Sequence, residues 1–199
     1  LAMIEFALAC FFLLITPGPG VLSVAGVGSG FGFKAGFSYL WGLCAGNLVV
    51  GMTVATGLAA VLFSIPYLRL ILLFASIAYL TYLAGKIAFS GSKVALIAPE
   101  KAPGFWNGFT LQFINPKAYA VNTALFTGFA FLPSSYTVEV ALKIAVLNAF
   151  WIPIHFLWLG IGVYLKRLNL PDAIQRLINI TMAVTMLAVV GLALWAEHS

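Results

Sequence analysis

Two short stretches of this chain set polar groups where a helix has to break: Thr16-Pro17-Gly18-Pro19-Gly20 and Asn115-Pro116-Lys117. A proline has no N–H to donate, and its ring crowds the carbonyl four residues earlier. Pro17 and Pro19 therefore free backbone groups over residues 13–20. In hydrocarbon such groups are intolerable, but around a cavity they become ligands. Freed carbonyls hold an ammonium, and the N-terminus of the helix that restarts after the break holds a carboxylate. A zwitterion carries both. Either break alone would read more readily as a kink that only shapes packing.

Nothing else in the chain suggests covalent chemistry. His155 and His198 with the separated Cys10 and Cys44 make no metal-ligand set. Asp172 sits in a loop, and no GxSxG accompanies it. The expectation is no enzyme, no cofactor and no bound metal. Both cysteines lie in apolar runs and read as packing residues rather than a disulfide.

The elements that must position the two breaks follow from composition. Of 199 residues, 63% are apolar and 8% charged, and the mean hydropathy is +1.09. No water-soluble domain leaves so little polar surface. The apolar runs are continuous instead of alternating, which excludes an outer-membrane barrel. The predicted fold is an all-α integral membrane protein, a single domain spanning 1–199. Its six segments lie at about 3–28, 36–63, 67–89, 106–132, 138–165 and 173–196, each long enough to cross a bilayer. The net charge of +5 punctuates the gaps and so reports topology, not nucleic-acid binding. Lys34, then Lys86, Lys93 and Lys101, then Lys166, Arg167 and Arg176 fall in alternate gaps. The other side has Arg69 and Lys143, and Lys143 stands one turn after Glu139, ready to pair with it. The positive-inside rule then puts both termini outside the cytoplasm. The first segment lacks a basic stretch and a cleavage site, so it is expected to be retained.

Lys117 fits neither side. It lies about eleven residues into the fourth segment, roughly 16 Å deep at 1.5 Å per residue, near mid-bilayer. A central lysine costs roughly 2.5 to 3.5 kcal/mol on insertion scales. The alternative is a later helix start with Lys117 snorkelling to the interface, but the adjacent Pro116 argues for backbone facing a polar cavity. Thr16 and Pro17 map onto Asn115 and Pro116 at an offset of 99, and the embedded asparagines Asn47 and Asn148 map at an offset of 101. Three segments are an odd number, so two such halves run in opposite directions. Interrupted helices at matching positions of an inverted repeat point to a transporter's midplane site. The halves are about 3–89 and 106–196, joined by a cytoplasmic loop at about 90–105. Thr16, Pro17, Gly18, Pro19, Gly20, Asn115, Pro116 and Lys117 are the expected substrate-binding residues, with Asn47 and Asn148 orienting the cargo. Gly28, Gly32 and Gly36, and Gly42 with Gly46, have the spacing of close helix contacts. Tyr79 and Tyr82 reach the cavity or anchor the interface.

A first-helix TPGP, a glycine-spaced second segment, AYL within "SIAYLTYLAGK" at 76–86 and a fourth-helix NPK together resemble the LysE/RhtB family of bacterial amino-acid exporters. The resemblance covers nearly the whole chain. It implies an inner-membrane secondary transporter that exports a small amino acid or a derivative, driven by the proton-motive force. Its implied partners are therefore that substrate, protons and the lipid bilayer, with a homodimer left open. A channel, or an exporter of another small solute or cation, is the alternative. The sequence departs from the family pattern twice: Gly20 replaces an asparagine after TPGP, and Asn47 replaces an aspartate. None of Glu5, Glu100, Glu139, Asp172 and Glu197 lies at mid-membrane. The residues left for proton coupling are His155, whose imidazole titrates near physiological pH, and Lys117; otherwise the substrate's own charge couples export to the membrane potential.

Overall fold

The structure, a computed structural model, describes residues 2–16, 18–65, 67–88 and 101–198. Pro17 and most of the expected loop at 90–105 lie outside the described residues. Every regular element among the described residues is an α-helix. These are α1 (Ala2–Ile15), α2 (Pro19–Phe31), α3 (Phe33–Ala55), α4 (Leu58–Phe63), α5 (Leu68–Ala88), α6 (Phe105–Ile114), α7 (Pro116–Gly128), α8 (Tyr136–Arg167) and α9 (Asp172–His198). Among the described residues α3 and α8 are each long and apolar enough to cross a membrane, and α1 with α2, bent by 49°, passes the same test as one span.

The helix starts at the breaks have local causes. A residue before proline is driven to extended backbone, and Gly18 (φ −155°, ψ 178°) and Asn115 (φ −75°, ψ 112°) both precede one. Proline then suits the first helical position, where its missing N–H would have had no partner. Pro19 and Pro116 begin α2 and α7 in this way. The Asn115 side chain caps α7 by accepting a hydrogen bond from Lys117 N at 3.1 Å. One break was not legible beforehand: the segment at 36–63 divides at Thr56-Gly57, where Gly57 takes φ +75°, a left-handed conformation that ends α3. Pro153 does not interrupt α8.

Large apolar side chains face outward as well as filling the core, and the interior also holds polar ones. Ile4, Phe12, Val61, Phe74, Leu157 and Tyr164 are exposed, while Ser23, Asn47, Gln112, Asn122, Lys143 and His155 are buried. That arrangement is what a lipid solvent selects, because a polar group in hydrocarbon needs an internal partner. Lipid also gives helices no hydrophobic reason to associate, so contact depends on close backbone approach. A Cβ on Gly42 would lie 1.9 Å from Phe105 O, and one on Gly108 2.1 Å from Tyr39 O, so α3 and α6 touch backbone to backbone. A Cβ on Gly162 would lie 2.1 Å from Ala25 O, which makes the same contact between α2 and α8. Gly46 faces Phe109 O and Gln112, and Gly28 and Gly36 both face Leu159. Gly32, with φ +87°, forms the corner between α2 and α3. Gly108→Ala is expected to force α3 and α6 apart at a cost of about 1 to 3 kcal/mol. A lowered thermal midpoint of the detergent-solubilised protein is the check, and an unchanged midpoint would contradict the backbone contact.

Candidate functional site

The two breaks meet at one partly open cavity of about 50 Å³, bounded by the end of α1, the start of α2, and residues of α3, α6, α7 and α8. Thr16, Gly18, Gly20, Asn47, Asn115, Lys117 and His155 line it. Pro19 and Pro116 start the adjoining helices without lining it. Asn148 borders a second, smaller space of about 10 Å³, shared with Asn47 and Asn122. Its Nδ2 donates to Ile144 O at 2.8 Å, and Cys44 Sγ lies 3.9 Å from its Oδ1. Tyr79 and Tyr82 do not line the cavity. The Tyr79 hydroxyl donates to Asn107 O at 2.8 Å, and the Lys86 ammonium sits over the Tyr82 ring.

Lys117 reaches from the second break to the first, its Nζ donating to Thr16 O at 2.6 Å. The carbonyl freed by the first break thus meets an ammonium of the protein itself. Gly18 makes this possible, since a Cβ there would lie 2.8 Å from Lys117 Cδ and 3.0 Å from its Nζ. Thr16 turns its own hydroxyl back onto Phe12 O at 2.8 Å, satisfying one end carbonyl of α1. At the start of α2, Gly18 offers no side-chain cap and Pro19 has no N–H. The N–H groups of Gly20 and Val21 then form the positive end of the helix dipole, and both residues line the cavity. The lining holds one full cation, one imidazole and several amides, and no carboxylate.

Two buried amides, Gln112 and Asn122, were not singled out from the sequence, although they resemble the asparagines that were. Gln112 lines the cavity, and its Nε2 donates to Asn47 Oδ1 at 3.0 Å. Asn122 Nδ2 donates to the same oxygen at 3.1 Å and to Ala118 O at 2.8 Å. His155 stacks on Trp151, with ring centroids 3.4 Å apart, and its Nδ1 lies 2.8 Å from Trp151 O. Further along α2, Ser29 Oγ donates to Asn179 Oδ1 at 2.9 Å and accepts from Gln175 Nε2 at 2.9 Å, which fastens α9 to α2. Lys166 Nζ caps the end of α2 at Gly30 O, 2.8 Å away. Cys10 and Cys44 are both free thiols. Among the described residues no group of His, Cys, Asp and Glu comes together as a metal site would require.

Comparison of the sequence with known proteins places the chain in a family. Residues 11–197 match the model for the LysE type translocator. A cysteine/O-acetylserine efflux protein of Salmonella paratyphi A is 32% identical over 68% of this chain and 68% of its own length. One of the same description from Escherichia coli O139:H28 is 29% identical over 87% of each chain. A leucine efflux protein of Enterobacter sp. is 28% identical over 68% of this chain and 71% of its own. No solved structure matches the chain significantly. The chain belongs to the LysE type translocators and is a membrane transporter, not an enzyme.

Proposed function

We propose that the protein exports a small neutral amino acid, or a close derivative, from the cytoplasm across the bacterial inner membrane. The observation that carries this reading is the cavity between the two breaks, which pairs the Lys117 ammonium and the uncapped start of α2 with neutral amides and no acid. A carboxylate is the group such a lining binds, and a solute that brings a cation without a carboxylate is the one it repels. The relatives named for cysteine, O-acetylserine and leucine efflux support the same class, since each of those solutes carries a free α-carboxylate.

Six crossings arranged as two inverted halves of three give the carrier its alternating access. The pairing of segments supports this, because the first broken segment, α1 with α2, packs on α8 as the second, α6 with α7, packs on α3; the closest packing falls after the break in the first and before it in the second. Both termini then lie in the periplasm, and the basic gaps lie in the cytoplasm. Thr16, Gly18, Gly20, Asn115 and Lys117 bind the cargo, Pro19 and Pro116 hold the breaks open, and Asn47 and Asn148 orient it. Protons drive export, with His155 or Lys117 carrying the charge.

Inverted membrane vesicles test the reading. Labelled neutral amino acids are expected to accumulate inside when a proton gradient is imposed, and their decarboxylated amines are not. Equal movement of amine and amino acid, or movement of neither, would overturn it.

A further inference from the structure

The hydrogen bonds around the cavity fix which atom of each amide and of the imidazole is left facing the empty space. The sequence of constraints begins at a backbone carbonyl. Ala118 O can only accept, so the Asn122 atom 2.8 Å from it is the NH2 group. That same NH2 touches Asn47, so the Asn47 atom it meets must be the carbonyl oxygen. Gln112 approaches that oxygen too, and must do so with its own NH2. Gln112 therefore has its oxygen, Oε1, left over. A flip of any one of these amides would set donor against donor or acceptor against acceptor. His155 is constrained in the same way: Trp151 O can only accept, so Nδ1 carries the hydrogen and the neutral ring keeps a bare lone pair on Nε2.

These two leftover acceptors flank one place. A Cβ built on Gly20 would lie 3.4 Å from His155 Nε2 and 3.6 Å from Gln112 Oε1. Because residue 20 has no side chain, both acceptors border the cavity beside the Gly20 backbone, where all three residues line it. Gly18, the residue against which Lys117 rests, is two positions earlier, about 5 to 7 Å along the chain. An α-amino acid has its ammonium and carboxylate on one carbon, a span suited to two subsites that close together.

We propose that Gln112 Oε1 and His155 Nε2 form the subsite for the cargo's α-ammonium above Gly20, while Lys117 takes the α-carboxylate. This rests on the amino-acid reading above and deepens it by naming the groups that recognise the amine. Asn47 and Asn122 are positioning residues that hold the Gln112 amide in the orientation that presents oxygen. The absence of a side chain at residue 20 is a requirement for binding, and the same subsite distinguishes an α-amino acid from the corresponding carboxylic acid or N-acetyl derivative.

The test compares leucine with 4-methylpentanoic acid, which lacks only the amine, and with N-acetylleucine, by competition for binding to the full-length protein in detergent and by uptake into inverted vesicles. The wild type is expected to prefer leucine to both analogues by roughly tenfold or more, the size of a lost hydrogen bond to a charged group. Gln112→Leu removes one acceptor, and His155→Phe removes the other while keeping an aromatic ring on Trp151. Gly20→Ala fills the subsite with a methyl group that its neighbours accommodate at ordinary contact distance, so it reports even where the other variants fold poorly. Each variant is expected to bring the ratio toward one by weakening leucine and leaving 4-methylpentanoic acid unchanged. A wild-type ratio near one, or a ratio undiminished in Gly20→Ala, would overturn the subsite. The amino-acid reading itself fails on a different result, namely no binding or uptake of leucine, cysteine or O-acetylserine by the wild type.

Discussion

Vesicles carrying Lys117→Met are expected to move cargo at roughly one-hundredth of the wild-type rate or less, with the protein still inserted and folded. Lys117 supplies the one full cation of the cavity lining and the hydrogen bond to Thr16 O. A hydrogen bond to a charged group is worth about 1.5 to 3 kcal/mol. Loss of the carboxylate's partner together with the tie between the two breaks approaches about 3 kcal/mol, or a hundredfold in rate. Methionine has the length of the lysine stem, and its apolar tip removes a charge from the membrane interior, so insertion is not impaired. Lys117→Arg keeps the charge but enlarges a group that already rests against the Gly18 backbone, and it is expected to recover only part of the rate. Initial rates at matched protein levels decide the matter. A Lys117→Met rate within about twofold of wild type, well inside one hydrogen bond's worth, would remove this residue from the site.

The largest effect on stability is expected at Lys143, which takes no part in the cavity. Its side chain is fully buried, with Nζ 2.8 Å from Glu139 Oε1 and 2.9 Å from Phe126 O, and bonded also to Phe129 O. All three of its hydrogens are used. The other oxygen of Glu139 accepts from Phe131 N at 3.1 Å and Leu132 N at 2.6 Å. Together the pair closes the end of α7 and the start of the link to α8 with one ionic clasp, meeting both the carbonyls that α7 leaves open and the amides that follow. Lys143→Met leaves the Glu139 carboxylate without its cation and the Phe126 and Phe129 carbonyls without a donor, and it is expected to destabilise the protein more than any other substitution named here. Lys143→Met with Glu139→Gln removes both charges and is expected to recover at least about 1 kcal/mol of that loss, the signature of coupling between neighbours. Unfolding in mixed detergent micelles measures all three variants. Equal destabilisation by the single and the double substitution would show that the ion pair is not what holds this corner.

The two breaks were legible because their cause is covalent: a proline dictates the conformation of the residue before it and forfeits a donor wherever it stands. Their convergence was legible through the internal offset, which pairs Thr16 with Asn115. The same offset also hid something. It draws attention to positions that are polar in both halves, and at 99 residues Gln112 maps onto Leu13. Gln112 has no amide counterpart in the first half, so symmetry gave no signal for it. An uncharged amide within an apolar run was the signal that could have found both Gln112 and Asn122. The partition of the second segment at Thr56-Gly57 escaped for a related reason, because one glycine among nineteen does not announce a left-handed turn. The orientation of the amides was beyond the sequence altogether, since it is set by the Ala118 carbonyl across one turn of helix and by Asn47 from another helix.

The offset of 99 also brings Lys117 onto Gly18, the residue it rests against. Equivalent positions that meet must lie near the axis relating the proposed halves, and there a large side chain on one copy obliges a small one on the other. Two identical inverted halves would make the inward-open and outward-open carriers equal in energy, so each difference between the halves acts as a bias. The Lys117 ammonium on Thr16 O is such a difference, and at about 1.5 to 3 kcal/mol it favours the form that contains it by roughly ten- to a hundredfold. Cargo whose carboxylate draws that ammonium away cancels the bias. In a carrier built on the proposed halves, the empty protein would then wait on one side of the membrane, and loading would bring its two forms level.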